Sequence, residues 1–323
     1  MIPTRVLRAT RSGFGLPRGS VRVLSTRFGK SCLAHRAHDG TMTQLRLVRE
    51  LPGTAERLTS EHAWLTHLSA NHHLAVPSPR LWCETSRISP PLPDRDGAAW
   101  RAMACSWVSG RHLDRGLDAN ALRRAGALLA QLHRANADAP PEIAHSRPEW
   151  WVPRLFELAT TLRDVVHDRG TLPADVSPAL AAPLRRAHDA IVAAHAALPV
   201  GPAVSGLIHT DAHWQNLRFL GHRVGLVDFE DFANGRFMFD VACLWEKVEE
   251  RRNSERLLDA VLDGYHRVAP LPAGHLRDLH VMLAFRRFDY VGWVLSWPRR
   301  DLRAWGPTLL SGAAAYIERH LQQ

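Results

Sequence analysis

The apolar and polar positions of this chain change period about a third of the way along. Short apolar runs at residues 21–24, 32–37, 44–48, 80–84 and 100–108 read as strands, with turns marked by Gly29 and by Asp39-Gly40. A Pro-rich stretch at 88–97 reads as a loop, and residues 1–20, basic with Gly and Pro, as a loosely packed start. Among these runs, Leu58, Glu61, Leu65 and Leu68 recur at helical spacing, which predicts one helix with a carboxylate on its apolar stripe. Beyond residue 108 the helical period dominates. Leu122, Ala125, Leu128, Leu129 and Leu132 share one face of a helix ending near His133, and Leu184, Ala187, Ile191, Ala194 and Leu198 share another. Further helices are predicted over 239–250, 254–268, 274–297 and 306–321. Interrupting them, residues 207–208, 217–220 and 224–227 are short strands, the last two joined at Gly221-His222 as a hairpin.

The polar residues at the ends of those three strands carry the chemistry. His209, Asp211, Asn216 and Asp228 stand where side chains of neighbouring strands can converge, and Asp211 and Asn216 have the spacing of the H-x-D-x-x-x-x-N loop of phosphoryl-transferring kinases. Moving a γ-phosphoryl group needs a carboxylate to orient the attacking hydroxyl and accept its proton, and oxygen ligands for Mg²⁺. Asp211 suits the first role, Asn216 and Asp228 the second. Glu61, on an apolar helix face, must find a cation. Arg46 alternates away from Leu45 and Leu47 and is its natural partner, in the positions where kinases place a strand Lys and a helix Glu.

With its strands and hairpin, the stretch from Leu207 to Asp231 resembles the aminoglycoside phosphotransferase and choline kinase superfamily. Val227-Asp228-Phe229-Glu230-Asp231 followed by Phe239-Asp240-Val241-Ala242 is similar to its homoserine-kinase-type and choline-kinase-type branches. Thr210 stands where the family loop has Gly, and no Gly follows Phe229. The resemblance implies an α+β, protein-kinase-like two-lobed fold: a small antiparallel-sheet lobe with one helix over 1–107, and a larger, mainly helical lobe over 108–323. It implies ATP and Mg²⁺ as cosubstrate and metal. It also implies that the first hairpin covers the nucleotide phosphates, with Lys30 as a contact, and that Ser106 to Val108 form a hinge against adenine. Arg46 in place of Lys looks like choline kinase and its relatives. A guanidinium can hold Glu61 and the phosphates together.

Glu230, Trp245, Glu246, Trp293 and Trp297 are candidates for the acceptor site, because aromatic faces beside carboxylates suit an ammonium group. The expected reaction is phosphorylation of a hydroxyl on a small amino-bearing molecule of the aminoglycoside, homoserine or choline/ethanolamine class. A protein Ser/Thr kinase and an inactive nucleotide-binding pseudokinase are the alternatives. Asp240, at a helix start, and His209 read as structural and orienting residues.

Charge and cysteines change this little. The net charge of +9 comes almost wholly from Arg, with Lys only at 30 and 247, spread along the chain as on a solvated surface, so no nucleic-acid partner is expected. Four cysteines without C-x-x-C spacing indicate neither a zinc site nor a disulfide framework and fit a reducing compartment. No apolar run reaches the roughly 18 residues of a membrane span. The acid-free first 38 residues have the composition of a transit peptide, yet strand character begins at Val21. An intact cytoplasmic chain is expected.

Overall fold

Strand alternation puts Leu45 and Leu47 on one face of the third strand and Arg46 on the other, and this split organises the first part of the molecule. A computed structural model describes residues 2–27, 29–113, 117–150, 172, 174, 176–296 and 299–321. The chain divides into two compact units. The first comprises Met1–Gly116, Arg134–Arg147 and Gln215–Phe232; the second comprises Leu117–His133, Pro148–Trp214 and Ala233–Gln323.

In the first unit, β1 (Gly19–Arg27), β2 (Lys30–Ala37), β3 (Met42–Arg49), β4 (Leu92–Pro93) and β5 (Ala99–Ser106) form an antiparallel sheet ordered β1-β2-β3-β5-β4. Its register sets Leu33 opposite Leu45 and Leu45 opposite Ala104, one buried row across three strands. This row packs with Val6, Phe14 and Trp100. Two of those residues lie in or beside α1 (Thr4–Gly13), so the start of the chain is a helix covering the sheet and not the loose segment expected from its composition. Arg5 and Arg8 face solvent while Val6 is wholly buried and Thr10 donates to its carbonyl at 2.8 Å. The basic face masked an apolar stripe that runs from Ile2 to Phe14.

A second expectation also fails. Residues 80–84 are not a strand: Pro79 just before them bridges Cys105, the Arg80 N–H donates to the Ala104 carbonyl, and Trp82 bridges only Ser86. Cys83 and Glu84 turn back at φ 46° and 62°, and the Cys83 N–H donates to the Gly13 carbonyl at 2.6 Å. On the opposite face of the sheet lies α2 (Thr54–Thr66), which continues into a π turn at His67–Asn71. The hairpin of β8 (Leu217–Leu220) and β9 (Arg223–Leu226) belongs to this unit and forms as expected around Gly221, at φ 56°.

The second unit is mainly helical. Its small sheet joins β6 (Glu149–Trp150), β7 (Ser205–Ile208) and β10 (Ala233–Arg236), with β10 antiparallel to β7 and parallel to β6. The strand at 233–236 was not foreseen. Among the described residues its helices are α3 (Ala119–Arg134, the last residue of which falls in the first unit), α5 (Ala181–Ala196), α6 (Phe237–Trp245), α7 (Ser254–His266), α8 (His275–Ser296) and α10 (Gly306–Leu321), with the short α4 (Pro141–His145) in the first unit and α9 (Arg300–Arg303) in the second. α6 is shorter than the 239–250 expected, because the chain from Glu246 leaves it in successive turns. Helices α3 and α7 cross backbone to backbone: a Cβ on Gly126 would meet the Val261 carbonyl oxygen, and one on Gly264 that of Arg123. No helix among the described residues is long and apolar enough to cross a membrane.

Candidate active site

Arg46, 8 % exposed, leaves the helix-facing side of β3 and meets Glu61, 1 % exposed, on α2. The pair is bidentate, at 2.5 and 2.7 Å. Burial works against the guanidinium charge, but Glu61, Glu230 and Asp228 overcome it and hold Arg46 above its usual range. Glu230 lies 3.9 Å from Arg46 and 3.0 Å from Lys30. Burial alone would raise its carboxyl, and Arg46 and Lys30 instead hold it below the ordinary carboxylate range. These groups edge two adjoining recesses within the first unit. One is lined by Gln44, Arg46, Glu61, Met103, Asp228 and Phe229 among others. The other is lined by Lys30, Arg46, Thr54, Arg57, Glu61 and Glu230 among others. Arg57 was missed in the sequence, where its only signal is that it stands one turn before Glu61.

The hairpin register decides where the two expected metal ligands go. Leu217 pairs with Leu226, and the Val227 N–H donates to the Asn216 carbonyl at 3.0 Å, so Asn216 and Asp228 stand at the same end of the hairpin. Asp228 is exposed and held at φ 73°. Both offer hard oxygen donors, the kind a divalent magnesium ion takes. At the end of β5 the Ser106 N–H donates to the Ser78 carbonyl at 2.8 Å, and its hydroxyl accepts from the Ser78 N–H at 2.9 Å. The Val108 side chain packs where a Cβ on Gly225 would fall.

The second unit carries Asp211 on the loop after β7. This loop is fixed from beneath by Asp240 on α6, which is wholly buried. The backbone N–H groups of His209 and Thr210 donate to its two carboxylate oxygens, each at 2.8 Å. His133 stands 3.1 Å from Asp240 through Nε2 and 2.9 Å from the Tyr265 hydroxyl through Nδ1. Asp240 therefore satisfies the donors of a different segment, not those of its own helix as its place in the sequence suggested. Thr210 sits at φ 71°, the left-handed conformation that favours glycine. His209 is buried, and its Nδ1 accepts from the Asp211 N–H at 3.2 Å.

Asp211 itself is clasped by Arg286 at 2.8 Å and lies 3.3 Å from His213. Burial would raise its carboxyl, but the His213 hydrogen bond and the Arg286 and His209 charges prevail, leaving it well below the usual range. Arg286 also lies 3.5 Å from Glu246. Arg286, His133 and Tyr265 escaped the sequence reading; a cation on an otherwise apolar helix face, as at Arg286 on α8, was the available signal. Of the acceptor-site candidates, Trp245 is buried, and Trp293 is 42 % exposed and stacked on Tyr290 with centroids 5.4 Å apart. Glu230 is in the first unit with Lys30 and Arg46. Trp297 lies outside the described residues.

Residues 34–279 match the model of the phosphotransferase enzyme family. A homoserine kinase of Neisseria meningitidis serogroup B is 31 % identical over 153 residues, 46 % of this chain and 44 % of that protein. Another, from Cupriavidus pinatubonensis, is 27 % identical over 244 residues, 69 % of this chain and 67 % of its own. The match thus spans less than half of the first relative and about two thirds of the second. Among solved structures, an amicoumacin kinase in complex with AMP-PNP and Ca²⁺ superposes with a TM-score of 0.76 at 19 % identity, covering 93 % of this chain and 88 % of its own. A microcompartment-associated aminopropanol kinase gives 0.74 at 21 % identity, covering 94 % and 93 %. The α+β fold is the one these kinases share.

Proposed function

The chain belongs to the phosphotransferase enzyme family, and from that premise we propose that it moves the γ-phosphoryl group of ATP to the hydroxyl of a small amino-bearing molecule of the homoserine class. The observation that carries the reading is Asp211, an ionised carboxylate on a loop whose backbone is pinned to buried Asp240.

In this reading the first unit receives the nucleotide. Lys30, Arg46 and Arg57 supply positive charge for the phosphates, with Glu61 holding the Arg46 guanidinium in place, and Ser106 to Val108 meet the base. Asn216 and Asp228 would hold Mg²⁺, which when bound neutralises charge on the triphosphate. Asp211 accepts a hydrogen bond from the acceptor hydroxyl and takes its proton as the new O–P bond forms and the bond to the ADP oxygen breaks. A carboxylate with so low a proton affinity is a weak base. That suits a loose transition state, in which the nucleophile needs orientation more than activation.

The neighbours of Asp211 favour one acceptor class. Arg286 offers a cation and Glu246 an anion. An amino acid bearing a hydroxyl meets both, with its carboxylate and its ammonium; an amino alcohol such as choline or ethanolamine would use Glu246 alone. Both relatives described above are homoserine kinases, and the two solved structures are of an amicoumacin kinase and an aminopropanol kinase.

A phosphate-transfer assay with Mg·ATP against homoserine, aminopropanol, ethanolamine, choline and an aminoglycoside tests this. Homoserine is expected to be phosphorylated fastest. Asp211→Asn should lower kcat by on the order of 100-fold or more while nucleotide binding, read by thermal shift, is retained. Transfer unchanged in Asp211→Asn, or none to any small molecule although Mg·ATP binds, would sink the reading.

A further inference from the structure

Away from these residues, the first unit brings together two histidines and an aspartate that the phosphoryl chemistry does not use. His67 lies in the π turn that ends α2, His72 just after it, and Asp138 closes the short 3-10 helix Ala135–Asp138. The His67 and His72 Nε2 atoms are 3.1 Å apart, and the Asp138 Oδ1 lies 3.0 Å from His72 Nε2 and 3.5 Å from His67 Nε2. The Ala135 carbonyl oxygen is 3.1 Å from His67 Nε2. His67 is buried and stacked on Trp64, whereas the Asp138 side chain is 60 % exposed.

Protons alone do not satisfy this arrangement. If the Asn71 amide nitrogen, 3.1 Å away, donates to His67 Nδ1, the ring proton sits on Nε2, where it faces the Ala135 carbonyl. His72 needs its own Nε2 proton to donate to Asp138. Two N–H donors then confront each other across 3.1 Å. Removing either proton sets a nitrogen lone pair against an oxygen. A single cation resolves the conflict, because all of these atoms can then act as ligands. The spacing suits a small divalent ion, and two imidazoles with one carboxylate are donors that zinc takes: tetrahedral zinc with bonds of about 2.0–2.1 Å holds its ligand atoms about 3.3–3.4 Å apart.

We propose that His67, His72 and Asp138 form a binding site for zinc or a similar borderline divalent metal, with the Ala135 carbonyl or a water in the fourth position. Metal on His67 Nε2 moves the ring proton to Nδ1, and a turned Asn71 amide accepts it through its oxygen, the outer partner that fixes a ligating imidazole. Within the first unit the site ties the end of the helix bearing Glu61 to residues 135–138. It uses no cysteine, which is why cysteine spacing did not reveal it.

The test uses the untagged full-length chain, stripped with EDTA and titrated with Zn²⁺ alone by calorimetry, and with Co²⁺ by visible absorption. One equivalent with a tetrahedral cobalt spectrum and a zinc-dependent rise in Tm is expected. Because His67 is buried, the variants are His72→Gln and Asp138→Asn, whose metal-free Tm should match the parent's. Each should weaken that equivalent by on the order of 100-fold and abolish the zinc-dependent rise in Tm. If the parent takes up no zinc, or both variants bind it as the parent does, the proposal is overturned.

Discussion

Glu61 and Asp240 are both helix carboxylates shut away from water, one in each unit, and they answer the same electrostatic problem differently. Glu61 is neutralised by a side chain, the forked guanidinium of Arg46, which retains a further anionic neighbour in Glu230. Asp240 is met by backbone: two N–H groups of the loop that bears Asp211, with His133 behind. An ion pair between side chains positions a charge. A carboxylate taking main-chain donors positions a stretch of chain. The first arrangement is therefore expected to matter most for nucleotide affinity, the second for the existence of the loop at all.

The largest effect should come from Asp240→Ala, which takes the carboxylate away from two buried N–H groups and from the His133 Nε2. A cost of about 3–5 kcal/mol in urea unfolding is expected, with loss of activity. A small change with activity retained would mean that the loop is held by something else. Glu61→Gln should cost less, about 1–3 kcal/mol, because Arg46 keeps Glu230 nearby. Its mark should be kinetic, a fall in kcat/KM for ATP of roughly 10–100-fold with acceptor KM little changed. If the acceptor KM moved instead, the division of labour between the two carboxylates would be wrong.

Next is a pH effect. A carboxyl depressed in the folded state contributes stability that is present above its unfolded pKa of about 4 and lost only as pH falls through the folded value. Asp211 is of this kind, so the acid limb of kcat/KM should not report a normal aspartate. Arg286→Gln removes a charge holding it down, and the limb should move to higher pH. An unmoved limb would separate Arg286 from the chemistry. The smallest effect is expected at Thr210→Gly. Glycine adopts φ 71° without strain, and the gain, offset by greater freedom of the unfolded chain, should be about 0.5–1 kcal/mol with kcat within about twofold of the parent.

Much of this architecture is legible along the chain. Period-2 alternation around Arg46 and period-3.6 spacing around Glu61 are local properties, and each assigns a face, so the pair is legible in the sequence alone. Gly221 likewise marks its turn, because so tight a reversal favours a residue tolerant of positive φ. The two departures have different causes. At the start of the chain the arginines dominate the composition and conceal the stripe carrying Val6 and Phe14, which only spacing reveals. At 80–84 an apolar run looks like a strand, but a strand exists only if a neighbour pairs with it, and Cys83 bonds to Gly13 instead.

What the sequence determined by itself is the set of ends: which residues finish strands and begin helices, and that acids and amides gather there. Only the tertiary structure decided their partners. That Asp240 serves residues 209 and 210, that Arg286 clasps Asp211, and that His67 and His72 meet Asp138 depend on packing between segments 30 to 75 residues apart. Hydrogen bonds and ion pairs at that range have no period to betray them. They are settled by which buried groups remain unsatisfied once the apolar faces have closed.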